Sequence, residues 1–308
     1  MLTLKPTSTR PLADACHVAA AASAPRPSRA PLRCRALSLA LDGPPRFMGI
    51  LNVTPDSFSD GGEHAALDAA IAHAHAMIAD GADIIDIGGE STRPGSHSVP
   101  LEEEIQRVIP VVQRLRHETK ALISIDTNKA PVAQAAMDAG ADIINDITGL
   151  RGDANMPSVV SQSGAGVIIM HMKGTPRTMQ DAPAYLDIIS EIGDFFRQSV
   201  ALALSSGVDP MSIALDPGIG FGKTPEHNRQ LLVGIGSFTK TGHPILVGTS
   251  RKSFLGWLAG STAMDDRFWP GVATTSLCRE RGARIFRVHD VKPHHDALRM
   301  TEAILNHV

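Results

Sequence analysis

The chain has 308 residues, 43% of them hydrophobic and 20% charged, with 29 basic against 32 acidic side chains and a net charge of −3. That length can bury one large core or two ordinary ones, which excludes a peptide hormone or a disulfide knot, and the charge lacks the Lys and Arg surplus that nucleic-acid binding needs. No stretch approaches the roughly 18 uninterrupted apolar residues of a membrane-spanning helix, so neither nucleic acid nor a membrane is an expected partner.

Residues 1–45 are rich in Ala, Pro, Ser and Arg and poor in periodic apolar residues. They read as a disordered extension that cannot repay its ordering entropy, and the folded domain is expected at 46–308. Lys5, Arg10, Arg26, Arg29, Arg33 and Arg35 face a single acid, Asp14, in the first forty residues, so the remainder is acidic. An anionic substrate would then be held by a few placed cations rather than by the global field. The extension has three readings: an inert addition, an Arg-rich organelle transit peptide, or a secretory signal, the last weakened by Asp14 and His17. Cys16, Cys34 and Cys278 form no C-x-x-C and no set of close pairs, which disfavours a zinc site or a disulfide framework and fits a reducing compartment such as the cytoplasm.

From residue 46 onward, eight short apolar runs stand out: Phe47–Leu51, Asp83–Ile87, Leu122–Ile125, Asp142–Asn145, Val167–Met170, Ser212–Leu215, Pro244–Val247 and Arg284–Val288. Ile- and Val-rich runs without polar alternation are what strands buried on both faces of a parallel sheet look like. Helix-favouring stretches lie at 64–80, 101–119, 130–139, 185–206, 225–234 and 293–305, with Pro131 and Pro225 near first turns. Gly-Ala-Asp-Ile-Ile occurs at 81–85 and again at 140–144, with looser echoes from Gly164 and Gly282. Each reads as a helix-ending glycine followed by a strand. Eight such units in about 260 residues predict an α/β fold of the (β/α)8 TIM-barrel type, with a doubly wound open sheet as the alternative.

In a barrel the active site lies at the C-terminal ends of the strands. After the eight runs come, in order, Asn52, Asp86 with Glu90, Asp126, Asn145 with Asp146, His171, Asp216, Thr249 to Lys252, and Arg287 with His289. Any one polar strand end is explained by a loop meeting water, but eight together suggest a bipolar ligand, with a hydrogen-bonding head and an anionic end. The connections beginning at Asn52 and Gly88 are rich in Gly, Ser and Pro and long for βα loops, which makes them candidate lids or plain surface loops. Pro217 to Thr224 only imitates a phosphate-binding P-loop, because Pro217 stands where that pattern needs glycine. His73 with His75, and His294 with His295, read as solvated surface residues rather than metal ligands.

Seven motifs in the same order resemble the dihydropteroate synthase family: Met48 to Gly62, Asp86 to Gly95, Ser124-Ile-Asp-Thr, Ile144-Asn-Asp, Leu215 to Lys223, Thr249-Ser-Arg-Lys-Ser and Arg287-Val-His-Asp-Val. The resemblance runs from about residue 46 to the C-terminus. It implies a TIM barrel, usually a homodimer, that condenses 6-hydroxymethyl-7,8-dihydropterin diphosphate with 4-aminobenzoate, assisted by Mg²⁺ and inhibited by sulfonamides. By similarity Asp126, Asn145, Asp216 and Lys252 hold the pterin, with Met170 packed on its ring. The diphosphate falls to Asn52, Thr92, Arg93, Arg287 and His289, with Asn52, joined by Asp60 on loop closure, as the expected metal ligand. Phe58, Pro94, Phe221 and Ser253 would cage the aminobenzoate. The catalytic set implied is Arg287, His289 and Arg93 on the leaving group and Asp126 on a cationic pterin, with no protein nucleophile. Rival readings are a pterin-dependent methyltransferase and a noncatalytic pterin-binding paralogue. The segment Asp265 to Thr274 departs from the family pattern, in which Gly-Thr or Gly-Ser more usually opens the last long helix, and leaves the packing around that helix open.

Overall fold

The computed structural model describes residues 30–53, 62–261 and 263–305. A short antiparallel pair, β1 (Leu32–Cys34) and β2 (Leu37–Leu39), precedes eight strands: β3 (Arg46–Asn52), β4 (Ile84–Gly88), β5 (Leu122–Asp126), β6 (Ile143–Asp146), β7 (Gly166–Met170), β8 (Ile213–Asp216), β9 (Leu246–Val247) and β10 (Ile285–Val288). Strands β3 to β8 pair in parallel in sequence order. Strand β10 pairs with β9 on one side and returns to β3 on the other. A parallel bridge from Leu215 to Ile245 joins β8 to the residue before β9 and closes the ring. Return of the last strand to the first barrel strand excludes the open sheet, and all eight apolar runs become barrel strands.

The helices are α1 (Gly62–Ala79), α2 (Leu101–Glu118), α3 (Ala130–Ala139), α4 (Met156–Ser163), α5 (Ile188–Ser205), α6 (Pro225–Phe238), α7 (Ser253–Ala259), α8 (Phe268–Glu280) and α9 (Val291–Leu305). Six match the expected stretches. The stretch expected from 185 starts at Ile188 because the Asp187 carboxylate accepts from the amides of Ile189 and Ser190 at 3.0 and 3.2 Å. Helices α4 and α7 escaped the sequence reading because they are two turns long with Ser, Gly or Pro inside, and α8 because Pro270, Gly271 and two threonines dilute its helix propensity. Helix α8 nonetheless buries Gly271, Val272, Thr275, Cys278 and Arg279, so the departing segment keeps a packed face. The repeated glycines behave as read: Gly81, Gly140, Gly164 and Gly282 all have positive φ after a helix.

Two apolar layers result. One lies between strands and helices, and the other fills the barrel, where Met48, Ile84, Leu122, Ile143, Ile168, Ala214, Leu246 and Ile285 meet Leu32, Cys34, Leu39 and Leu41. The expected boundary at residue 46 is therefore corrected: residues 30–45 belong to the fold, because the β1–β2 hairpin inserts three apolar side chains, and Leu41 after it a fourth, into the open N-terminal end of the barrel. Arg35, in the hairpin turn, donates to the carbonyls of Met137 and Ala141 at 2.9 and 3.0 Å, and Arg284 donates to those of Leu41 and Gly43. Residues 1–29, to which the readings of the extension now apply, lie outside the described residues. Among those described, no helix is long and apolar enough to cross a membrane.

Candidate active site

Successive side chains on a strand alternate between the barrel interior and the helix layer. On β10, Phe286 and Val288 pack outward, so Arg287 turns inward, with His289 on the same face two residues on. The register of β5 against β6 sets Asp126 level with Asn145, and that of β7 against β8 sets Met170 level with Asp216. These residues converge with Phe221, Lys252, Arg287 and His289 on one small cavity at the C-terminal end of the barrel.

The charged groups are tied into one network. Arg287 donates through Nε to Asp86 Oδ2 and through a terminal nitrogen to Asp126 Oδ2, both at 2.6 Å, and Asn145 Nδ2 donates to the same Asp86 oxygen at 3.1 Å. The second oxygens of Asp86 and Asp126 are buried and have no hydrogen-bond partner among the described residues. A buried acceptor without a donor costs the desolvation of that oxygen, so Asp126, which lines the cavity, keeps unused acceptor capacity. Burial pushes the Asp126 carboxyl above the usual carboxylate range, with Arg287 pulling it back. Burial also works against the Arg287 charge, but Asp86 and Asp126 outweigh it and hold the guanidinium above its ordinary pKa.

On the opposite wall Asp216 Oδ1 accepts from the Gly218 amide at 2.7 Å, and burial raises its pKa against the pull of Lys252. Lys252 donates to the Ile219 carbonyl, and its ammonium lies 4.7 Å from the centre of the Phe221 ring. Burial lowers its pKa to about 8. Gly218 is required here: φ is +66°, and a Cβ would sit 1.9 Å from the His171 carbonyl oxygen. Beneath this loop the buried Lys223 donates to the carbonyls of Phe221 and His171 at 2.8 and 3.4 Å and lies 3.1 Å from His171 Nδ1. His289 Nδ1 is 3.1 Å from Ser250 Oγ, and burial followed by Arg251 and Arg287 lowers its pKa to about 3. The imidazole is therefore neutral in the free protein.

Eight of the expected site residues thus line one cavity. The others do not. Asn52 is half-buried at the end of β3; Thr92 is half-buried and Arg93 and Pro94 are exposed in the β4–α2 connection; Ser253 is exposed at the start of α7. Phe58 and Asp60 lie outside the described residues. Among the described residues no group of three or more His, Cys, Asp or Glu side chains could hold a metal ion.

The pterin binding enzyme family matches residues 48–289. The dihydropteroate synthase of a Synechocystis strain is 48% identical over 257 residues, 83% of this chain and 89% of that protein. Among solved structures, the Xanthomonas albilineans dihydropteroate synthase with 4-aminobenzoic acid matches with a TM-score of 0.84 and 43% identity, over 90% of this chain and 98% of that one. The same enzyme with 7,8-dihydropteroate gives 0.80 and 40%, over 89% and 98%. This chain belongs to the dihydropteroate synthases.

Within the dihydropteroate synthase site, four groups carry more than the sequence reading assigned to them. Asp86 is the hub of the charged network, and its signal was a carboxylate between Ile85 and Ile87 in a run buried on both faces. Lys223 and His171 support the Phe221 loop, and Ser250 meets His289. Lys223 was legible only as part of a rejected P-loop and of a family motif, neither of which says that its ammonium is buried.

Proposed function

We propose that the barrel joins 6-hydroxymethyl-7,8-dihydropterin diphosphate to 4-aminobenzoate, giving 7,8-dihydropteroate and pyrophosphate in folate biosynthesis. The observation that carries this reading is the Asp126 carboxylate, with one oxygen lacking a partner, on the wall of a cavity shared with Asn145, Asp216 and Lys252. A pterin presents adjacent N–H and amino donors to such carboxylates, with ring acceptors for Lys252, and Met170 packs on its face. The bond from the methylene carbon to the diphosphate oxygen breaks with its electron pair on oxygen, and the arylamine nitrogen attacks the carbon and then loses a proton. No protein nucleophile is required. Asp126 favours the electron-poor pterin by its charge, while Arg287, His289 and Arg93 stabilise the departing diphosphate, His289 as a neutral hydrogen-bonding group. Thr92 adds a hydroxyl at the same end. The aminobenzoate lies against Phe221 and the stem of Lys252, with Pro94 and Ser253 at the rim; Phe58 falls outside the described residues.

The donor set at the diphosphate end suits Mg²⁺: Asn52 offers one neutral oxygen, and this ion keeps several waters and takes phosphate oxygens. Asn52 would hold it and Asp60 would be its second protein ligand, the ion supplying neutralisation of diphosphate charge. Exposed Trp257, Leu258, Trp269, Leu277, Met300 and Ile304 on α7, α8 and α9 support a homodimer, which sedimentation of the purified chain tests. The buried free thiols of Cys34 and Cys278 support a cytoplasmic location.

The deciding experiment measures pyrophosphate release with both substrates and Mg²⁺. Release that requires aminobenzoate and is blocked by a sulfonamide, which offers the same arylamine, is the expected result. Pterin binding without release would establish a noncatalytic paralogue instead.

A further inference from the structure

The β4–α2 connection, residues 89–100, is stitched shut at its base. Glu90 Oε2 accepts from the Val99 amide at 3.0 Å and from Lys129 Nζ at 2.6 Å, and the same ammonium donates to the Val99 carbonyl at 2.6 Å. Lys129 is anchored in turn by Glu104 Oε2 at 2.5 Å, and the other oxygen of this buried carboxylate accepts from Thr127 Oγ1 at 2.8 Å. Thr127 follows Asp126 of the pterin wall directly. Above the base, Ser96 Oγ donates to the carbonyls of Ser91 and Arg93 at 2.5 and 2.8 Å, and the Gly95 amide donates to Pro176 at 3.0 Å. Thr92, Arg93 and Pro94 are carried on this closed loop, and the Arg93 charge bears on His289.

Without the base, the loop outside β4 and α2 would keep the Gly95–Pro176 bond as its remaining tie to the barrel, and Arg93 would be held less closely. We infer that Glu90, Lys129 and Glu104 form a clamp that holds Arg93 at the diphosphate end of the site, which makes Glu90 and Lys129 positioning residues for the reaction. The inference rests on the assignment of Arg93 to the diphosphate.

Glu90→Ala tests it while leaving the Lys129–Glu104 pair intact, so no buried charge is orphaned. Loss of the clamp is expected to lower kcat/KM about tenfold, with the affinity for a pterin lacking diphosphate unchanged. In an Arg93→Ala background the same change is expected to cost less than about twofold, because it acts through Arg93. Glu90→Gln, which keeps an acceptor for Val99 and Lys129, is expected to recover most of the loss. Wild-type activity in Glu90→Ala, or an equal loss with and without Arg93, would overturn the clamp. If Arg93→Ala alone costs nothing, the assignment of Arg93 to the diphosphate fails instead.

Discussion

Arg287 is placed between two buried carboxylates, Asp86 and Asp126, and is the counter-charge that both contact. Removing one partner of a buried pair typically costs about 3–5 kcal/mol, because the other charge is left uncompensated. Arg287→Ala is therefore expected to lose turnover and also stability of about that size, with the stability deficit shrinking on acidification as Asp126, whose carboxyl is already raised, takes up a proton. Denaturant titrations at neutral and mildly acidic pH check this, and a pH-independent deficit would argue against the pair. Lys252 governs the alkaline side. Its pKa is lowered to about 8, so the ammonium is present below that pH and lost above it. Affinity for a pterin analogue should fall as pH rises through about 8, and Lys252→Arg, whose guanidinium does not titrate there, should remove that decline even if it binds more weakly throughout.

At the scale of elements, the β1–β2 hairpin replaces what would otherwise be a water-filled end to the barrel. Leu32, 1% exposed, packs there against the inward side chains of the strands. Leu32→Ala should cost about 2–5 kcal/mol of stability with little change in KM, since the hairpin is at the end of the barrel opposite the site. A thermal midpoint unchanged by this substitution would mean that the hairpin is not docked. The hairpin escaped the sequence reading because each strand is three residues long, too short for periodicity to register, and sits in a stretch whose Arg, Pro and Ala content resembles a tail. The long strands and helices were legible for the converse reason: continuous Ile and Val runs and glycine-terminated helices repeat often enough to reveal their period.

Across the whole molecule, closure of the ring brings the strand ends that carry Asp126, Asn145, Asp216, Lys252 and Arg287 onto a single chamber. The sequence by itself determined the barrel, the strand ends that would bear polar groups, and the hydrogen-bonding character of most of the site, because burial pattern, helix termination and side-chain chemistry are local properties. Only the tertiary structure decided which of those groups pair. Arg287 meets Asp86 and Asp126 from 201 and 161 positions away, a contact that exists because β10 returns to β3 and that no local pattern encodes. The same holds for charge. His289 is written as a basic residue, yet its burial beside Arg251 and Arg287 keeps it neutral, since protonation depends on solvent access and neighbouring fields, and folding sets both.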